Sequence, residues 1–294
     1  MELIKQHYNC SLCKKDDTRQ LLEKQGFAIV QCRHCGFVYV NPRLHNDQLV
    51  TIYQHNYFHN RDYGYTDYEQ EKRLRVKNFE RWLKDAEAFL PSRTVTVSLD
   101  VGCAAGYGLD VMNTRGWQAE GLELDEEVFA RLQQQGYKVS RHHLEDFDPG
   151  KKYTLISLFD VIEHIPDPGK AFARLHHLLE DDGIIVMVTP DHNSLQRKIT
   201  GKRWFQYKPI EHIQYFTRTT LAAFAEENGL RIIHAQRCGQ YADGEFLLNR
   251  LKYYHFPFLY KCTSWLFSLL GLQKRSFYTD TGSLFLVLKK AVQG

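Results

Sequence analysis

Two groups of residues in this chain have types and spacings suited to chemistry. Cys10-x-x-Cys13 and Cys32-x-x-Cys35 stand 18 residues apart, the pattern in which two tight turns each aim two thiolates at one tetrahedral metal. Four cysteines leave no open position for a substrate water, so a structural Zn2+ is expected; a pair of disulfides, or free thiols, is the alternative. The second group is Asp160-x-x-Glu163-His164. Two carboxylates and an imidazole could bind a divalent cation and lower the pKa of a hydroxyl. They could equally serve as a ligand contact, a helix-start acid and a general base.

Elements must hold these groups in place. Gly36 after Cys35 suits a knuckle turn, and Phe27–Gln31 and Phe37–Val40 read as paired strands of a zinc ribbon. A module of about 40 residues buries little core, so a metal would supply folding free energy. Farther on, the β-branched run Thr94-Val95-Thr96-Val97 leads through Leu99-Asp100-Val101 into a turn with glycines at 102, 106 and 108, and a helical pattern begins near Leu109. Strand, glycine turn and helix together bring backbone N–H groups and a helix N-terminus up to a ligand. A second short strand follows and ends on Glu123-Leu124. An acid at that place accepts hydrogen bonds from a ribose diol; a solvated strand-end acid is the plain alternative.

The order Leu-Asp-Val-Gly-Cys-x-x-Gly, then Gly-x-Glu, then Asp-Val-Ile-Glu-His resembles the class I S-adenosylmethionine-dependent methyltransferases over roughly residues 70–240, with a last strand near 283–289. The resemblance implies an α/β fold: a doubly wound, Rossmann-like sheet of seven strands, the last antiparallel, behind the small N-terminal zinc ribbon. It implies S-adenosyl-L-methionine as cofactor. Asp100, Gly102, Ala104 and Gly106 would lie at its methionine end, Glu123 and Leu124 at the ribose, Leu144 and Glu145 at the adenine, and Phe159 and Asp160 along the methionine part. Two positions depart from the family pattern. Ala104 replaces the middle glycine, which is tolerable if its dihedrals are ordinary, and His143 replaces the adenine-facing acid of many members. Asp160-x-x-Glu163-His164 is similar to the segment that holds a cation in some ubiquinone-pathway O-methyltransferases, so Mg2+ at Asp160, Glu163 and His164 is one reading and His164 as base or acceptor contact another. His212, in Glu211-His212-Ile213-Gln214-Tyr215-Phe216-Thr217, resembles a family segment bordering the acceptor pocket; a structural histidine is the alternative. His164 and His212 are the catalytic candidates.

The strand and helix pattern alternates from residue 94 to 237, which argues for a mostly parallel sheet. The organisation expected is a ribbon over 1–45, an aromatic lid and helical linker over 46–92, and the methyltransferase domain over 93–294 with an insert at 239–281. The lid reading rests on Tyr53, Tyr57, Phe58, Tyr63, Tyr65 and Tyr68, with Tyr57 and Tyr65 as candidate pocket residues; Arg73–Phe89 reads as an amphipathic helix stopped by Pro91.

A net charge of +3 is too mild to indicate nucleic acid by itself. The N-terminal residues lack the apolar core of a signal peptide and no run reaches the ~18 apolar residues of a membrane span, so the seven cysteines are expected in a reducing cytoplasm. Residues 197–208 interleave Arg197, Lys198, Lys202, Arg203 and Lys208 with Trp204, Phe205 and Tyr207. That stretch suits stacked bases, a phosphate-bearing substrate, a membrane surface or a solvated loop. The insert, with Phe256–Tyr260 and Trp265–Leu270 between basic residues, suits extra core, a dimer face or peripheral membrane contact through 250–276. The function expected is methyl transfer to a small-molecule, sugar or lipid-linked acceptor, at oxygen. The alternatives are an RNA methyltransferase gripping phosphates with ribbon and basic patch, and a non-catalytic cofactor-binding scaffold.

Overall fold

Residues 4–46, 48–49, 68–92, 95–254 and 256–291 are described by a computed structural model. The expected aromatic lid, from Tyr53 to Tyr65, lies outside the described residues, as does the side chain of Tyr68. At the N-terminal side, β1 (Lys5–Gln6) pairs with β5 (Arg43–Leu44), and β2 (Thr18–Lys24), β3 (Phe27–Cys32) and β4 (Val38–Val40) form an antiparallel meander. The two Cys-x-x-Cys turns stand beside this meander, the second of them closing on Gly36 at φ +77°.

Helix α1 (Tyr68–Glu87) precedes the main sheet. The chain then runs β6 (Val97–Val101), α2 (Tyr107–Thr114), β7 (Gln118–Leu122), α3 (Glu126–Gln134), β8 (Val139–Ser140), β9 (Tyr153–Phe159), α4 (Pro168–Leu178), β10 (Leu179–Pro190), α5 (Leu195–Thr200), β11 (Gln214–Tyr215), α6 (Arg218–Glu227), β12 (Leu230–Asp243), α7 (Gly244–Tyr253), α8 (Pro257–Leu269) and β13 (Ser276–Lys290). The seven-stranded sheet has the order β12-β13-β10-β9-β6-β7-β8. Strands β6 to β10 run parallel to one another, and β13 runs antiparallel to both β10 and β12. Parallel neighbours need crossovers, which the helices supply while covering both faces. The central β9 is therefore buried at all seven positions. One apolar layer packs Trp82 and Leu83 of α1 with Met112 of α2 and Leu132 of α3; the other packs Phe172 and Leu175 of α4 with Leu221 and Phe224 of α6. Local chemistry starts several helices: Asp125 accepts from the Val128 N–H at the head of α3, and Thr217 and Thr220 form a reciprocal cap on α6.

Three features differ from the sequence reading. The ribbon sheet has a fourth strand: β11, from far along the chain, pairs antiparallel with β4. Trp204 and Tyr207 are fully buried against β11 and the ribbon residues Phe27, Ile29 and Val40. They are core, so two of the three aromatics of that stretch, all but the half-buried Phe205, offer no platform to bases. The insert is smaller than expected, because β12 and β13 continue to Asp243 and back from Ser276, leaving two helices between them. Those strand ends carry Tyr241, Tyr278 and Asp280 rather than an apolar run, and a solvent-facing hairpin of that composition does not announce itself.

Candidate active site

The C-terminal ends of β6, β7, β9 and β10 converge where open parallel sheets bind ligands. At the end of β6 the chain turns through Gly102 (φ +69°), Ala104 (φ +47°) and Gly106 (φ +80°). Gly106 is the left-handed cap of α2. Ala104 also sits in the left-handed region, so its dihedrals are not the ordinary ones expected, and a Cβ there costs about 1–2 kcal/mol. One contact holds it: the Ala104 N–H donates to Glu123 Oε2 at 2.9 Å, while Glu123 Oε1 accepts from the Asp125 N–H at 2.8 Å. Burial pushes the Glu123 carboxyl above its usual range, and these backbone donors oppose the shift. A carboxylate has about four acceptor sites, so two hydroxyls could still be accepted.

Asp100 lies buried beneath this turn. Burial raises its pKa to about 7, against a hydrogen bond from Ser157 Oγ at 2.6 Å. A Cβ on Gly108 would stand 2.5 Å from Asp100 Oδ2, which explains the glycine on the first turn of α2. Leu124 is half-buried after Glu123, its carbonyl accepting from Arg141 Nε. Leu144 is buried in the apolar layer under α4, and Glu145, beside it, is raised by burial. His143 is exposed. Phe159 closes β9 against Phe79 and Trp82 of α1, with ring centroids 5.5 and 5.1 Å away. The structure thus gathers Asp100, Gly102, Ala104, Gly106 and Glu123 around one turn, with Phe159 and Asp160 at the end of the central strand.

Beyond β9, Asp160 adopts φ +55°, a strained conformation held by its N–H donating to Val188 O at 2.8 Å. Its carboxyl is raised by burial, against the charges of Arg75 and Lys208. A 3-10 turn then carries Ile162–His164. Glu163 is buried, and Thr189 Oγ1 donates to its Oε2 at 2.9 Å, while Oε1 has no hydrogen-bond partner among the described residues. Burial, with Asp160 adding to it, lifts Glu163 to about 8, so it holds its proton at neutral pH.

His164 and His212 meet edge to face, centroids 4.9 Å apart. His164 Nδ1 is 2.8 Å from Glu211 O and His212 Nδ1 is 3.0 Å from Gln206 O. A carbonyl only accepts, so each Nδ1 carries hydrogen and each neutral ring keeps its lone pair on Nε2. Burial lowers His164 to about 4 and holds His212 well below the ordinary imidazole range. Both rings are neutral at pH 7, the state of a general base.

Ligand atoms of Glu163, His164 and His212 lie within 4.8 Å of one another, whereas Asp160 falls outside that group. The donor set is two imidazole nitrogens and one carboxyl, unlike the oxygen shell that Mg2+ takes. Lys208, lowered to about 8 by burial, puts a positive charge near Asp160, Glu163, His164 and His212 alike. The residues do not fit Mg2+. Lys208, Arg75 and Ser157 escaped the sequence reading. Lys208 was hidden among surface-like basic residues, and only its burial sets it apart.

In the ribbon, the thiols of Cys10, Cys13, Cys32 and Cys35 converge within 4.8 Å. Cys10 and Cys35 sulfurs are 3.5 Å apart and those of Cys13 and Cys32 3.4 Å. A disulfide needs about 2.0 Å, while four sulfurs at about 2.3 Å from one zinc are separated by somewhat under 4 Å. The cluster fits a tetrahedral Zn2+.

A family model described as a methyltransferase domain matches residues 73–235, more than half of the chain. The ubiquinone biosynthesis O-methyltransferase of Pseudomonas paraeruginosa is 27% identical over 121 residues, which are 38% of this chain and 50% of that protein. The chain spans about half the length of such curated relatives. Two solved structures share the fold. Magnesium protoporphyrin IX methyltransferase from Synechocystis, with bound S-adenosylhomocysteine, has a TM-score of 0.53 at 14% identity, covering 84% of this chain and all of its own. A Burkholderia thailandensis 1,6-didemethyltoxoflavin N1-methyltransferase has a TM-score of 0.52 at 13% identity, covering 94% of this chain and all of its own. Sheet order, glycine turn and sequence agree, and the chain belongs to the methyltransferase-domain family.

Proposed function

We propose that this chain is an S-adenosylmethionine-dependent O-methyltransferase acting on a small molecule. The observation that carries the reading is the neutral pair His164 and His212, each pinned through Nδ1 to a backbone carbonyl with its lone pair on Nε2. A hydroxyl acceptor must lose a proton as it is methylated, and an imidazole fixed in this tautomer can take it. The names of the ubiquinone-pathway relatives support oxygen as the acceptor atom.

S-adenosylmethionine, when bound, supplies an activated methyl group. Asp100, Gly102, Ala104, Gly106, Glu123 and Leu124 would hold it at the first two strands, Leu144 and Glu145 at the third, and Phe159 and Asp160 at the central strand. Lys208 would orient an electron-rich acceptor beside the histidines. Holding the acceptor in line can supply roughly 7–11 kcal/mol of the barrier. Cys10, Cys13, Cys32 and Cys35 would hold a structural Zn2+. Sugar or lipid-linked acceptors belong to the same reading.

The test is a panel of phenols, catechols and sugars assayed for S-adenosylhomocysteine formation with wild type and His212→Ala. Turnover of a hydroxyl acceptor that collapses in the variant supports the proposal. Cofactor binding with no turnover across the panel would favour a scaffold.

A further inference from the structure

Helix α8 turns its apolar side to solvent. None of its thirteen residues is buried. Phe258, Trp265 and Leu269 are 78, 68 and 66% exposed, and Leu259 and Leu266 are exposed beside them. Spacings of 7, 8 and 11 residues from Phe258 place Trp265, Leu266 and Leu269 on one face. The opposite face is anchored: Phe267 stacks on Phe277 with centroids 6.0 Å apart and seats over Gly244, where a Cβ would stand 2.7 Å from its ring. The rotation of α8 is therefore fixed with the apolar face outward.

Charge selects the partner. From residue 246 to 279 the chain has Arg250, Lys252, Lys261, Lys274 and Arg275 and no Asp or Glu. Lys252, Lys261, Lys274 and Arg275 are exposed. A second copy of the chain would bring the same cations against these ones. An anionic bilayer offers an apolar interior beneath a negative surface, complementary on both counts. No described helix is long and apolar enough to cross a membrane, so α8 would lie along the surface. We propose that α8 and its basic flanks form a peripheral docking surface for anionic lipid bilayers. The surface is tied to the candidate active site through Phe205: Arg250 of α7 stacks on its ring, Tyr253 meets it edge-on, and Lys208 Nζ lies 4.7 Å from it.

The test is sedimentation of the full chain with vesicles of phosphatidylcholine alone or with about 30 mol % phosphatidylglycerol. Wild type should bind the anionic vesicles at least roughly tenfold more tightly and release them at high salt. Phe258→Glu combined with Trp265→Glu should abolish binding with unchanged circular dichroism and thermal midpoint. The blue shift of tryptophan emission on adding vesicles should be absent in Trp265→Phe. The proposal is overturned if wild type ignores anionic vesicles, if the double variant binds equally well, or if ultracentrifugation shows a dimer that the double variant dissociates. Cofactor titration is a separate readout, so failure here leaves the proposed methyl transfer standing.

Discussion

The carboxylate of Glu123 at the end of β7 reaches across to the backbone N–H of Ala104 at 2.9 Å and ties the glycine turn to the neighbouring strand. The acid proposed at the ribose is thus also a brace for the loop that would face the methionine end. One substitution should therefore disturb both functions, in separable ways.

Glu123→Ala removes the acceptor for two backbone N–H groups and should destabilise the fold by about 1–3 kcal/mol. It should also weaken S-adenosylmethionine by at least roughly tenfold, since a hydrogen bond to a charged acceptor is worth about 1.5–3 kcal/mol. Calorimetric titration into wild type and variant measures the second effect, and thermal unfolding the first. Unchanged affinity in the variant would remove Glu123 from the cofactor site.

Ala104→Gly should stabilise the protein. Alanine at φ +47° carries a left-handed penalty that glycine does not, and the gain in unfolded-state entropy offsets only part of it. The expected net effect is up to about 1 kcal/mol, read as a rise of roughly 2–4 °C in Tm. A fall in Tm would mean that the Cβ packs favourably enough to outweigh its strain.

The activity profile should lack an acidic limb near the ordinary histidine pKa. His164 is lowered to about 4 and burial holds His212 well below its ordinary range, so the bases stay unprotonated below neutrality. kcat measured at saturating cofactor from pH 5 to 7, which leaves out the free-enzyme titration of Asp100, should show no histidine limb on this account, and His212→Ala should reduce kcat by roughly 10²–10⁴-fold. A limb at pH 6.5 in wild type would show a base in open solvent instead.

Glu163 makes stability depend on pH in the opposite sense. Its folded pKa of about 8 exceeds the usual 4.5, so the protonated form favours the fold. That contribution is complete below about 4.5 and is lost as pH rises through about 8. Glu163→Gln should flatten the decline between pH 5 and 8, and denaturant midpoints at both ends of that range check it. An unchanged slope would place the decline elsewhere.

Zinc removal should reach the acceptor side. Strand β4 follows Cys35 closely and pairs with β11, and the Ile213 N–H donates to Glu163 O at 3.1 Å. Elemental analysis should find one zinc per chain. Cys32→Ser or strong chelation should lower turnover and reduce the near-ultraviolet signal of the buried Trp204. Full activity in a metal-free chain would make the ribbon dispensable.

Much of this was legible in the sequence because the responsible forces are local. Gly102, Gly106 and Gly108 announce a turn that side chains would block, whereas of the β-branched run expected as the buried strand only Val97 belongs to it and Val95 is exposed. Asp125 and Thr217 cap helices where the apolar spacing begins. What escaped depends on partners distant in the chain. The two residues of β11 are a strand only because β4 offers an edge. Trp204 and Tyr207 are core only because the ribbon covers them, and Lys208 differs from Lys202 only by its burial.

The joining of β11 to β4 also bears on synthesis. Translation yields β4 long before Gln214 and Tyr215 leave the ribosome, about 175 residues later. For that interval the nascent ribbon has an open strand edge, the kind of surface on which chains pair wrongly. A ribbon grafted onto another protein would keep that edge permanently. The cysteine ribbon and the chain that follows the main sheet's β10 are therefore built as one piece through β4 and β11.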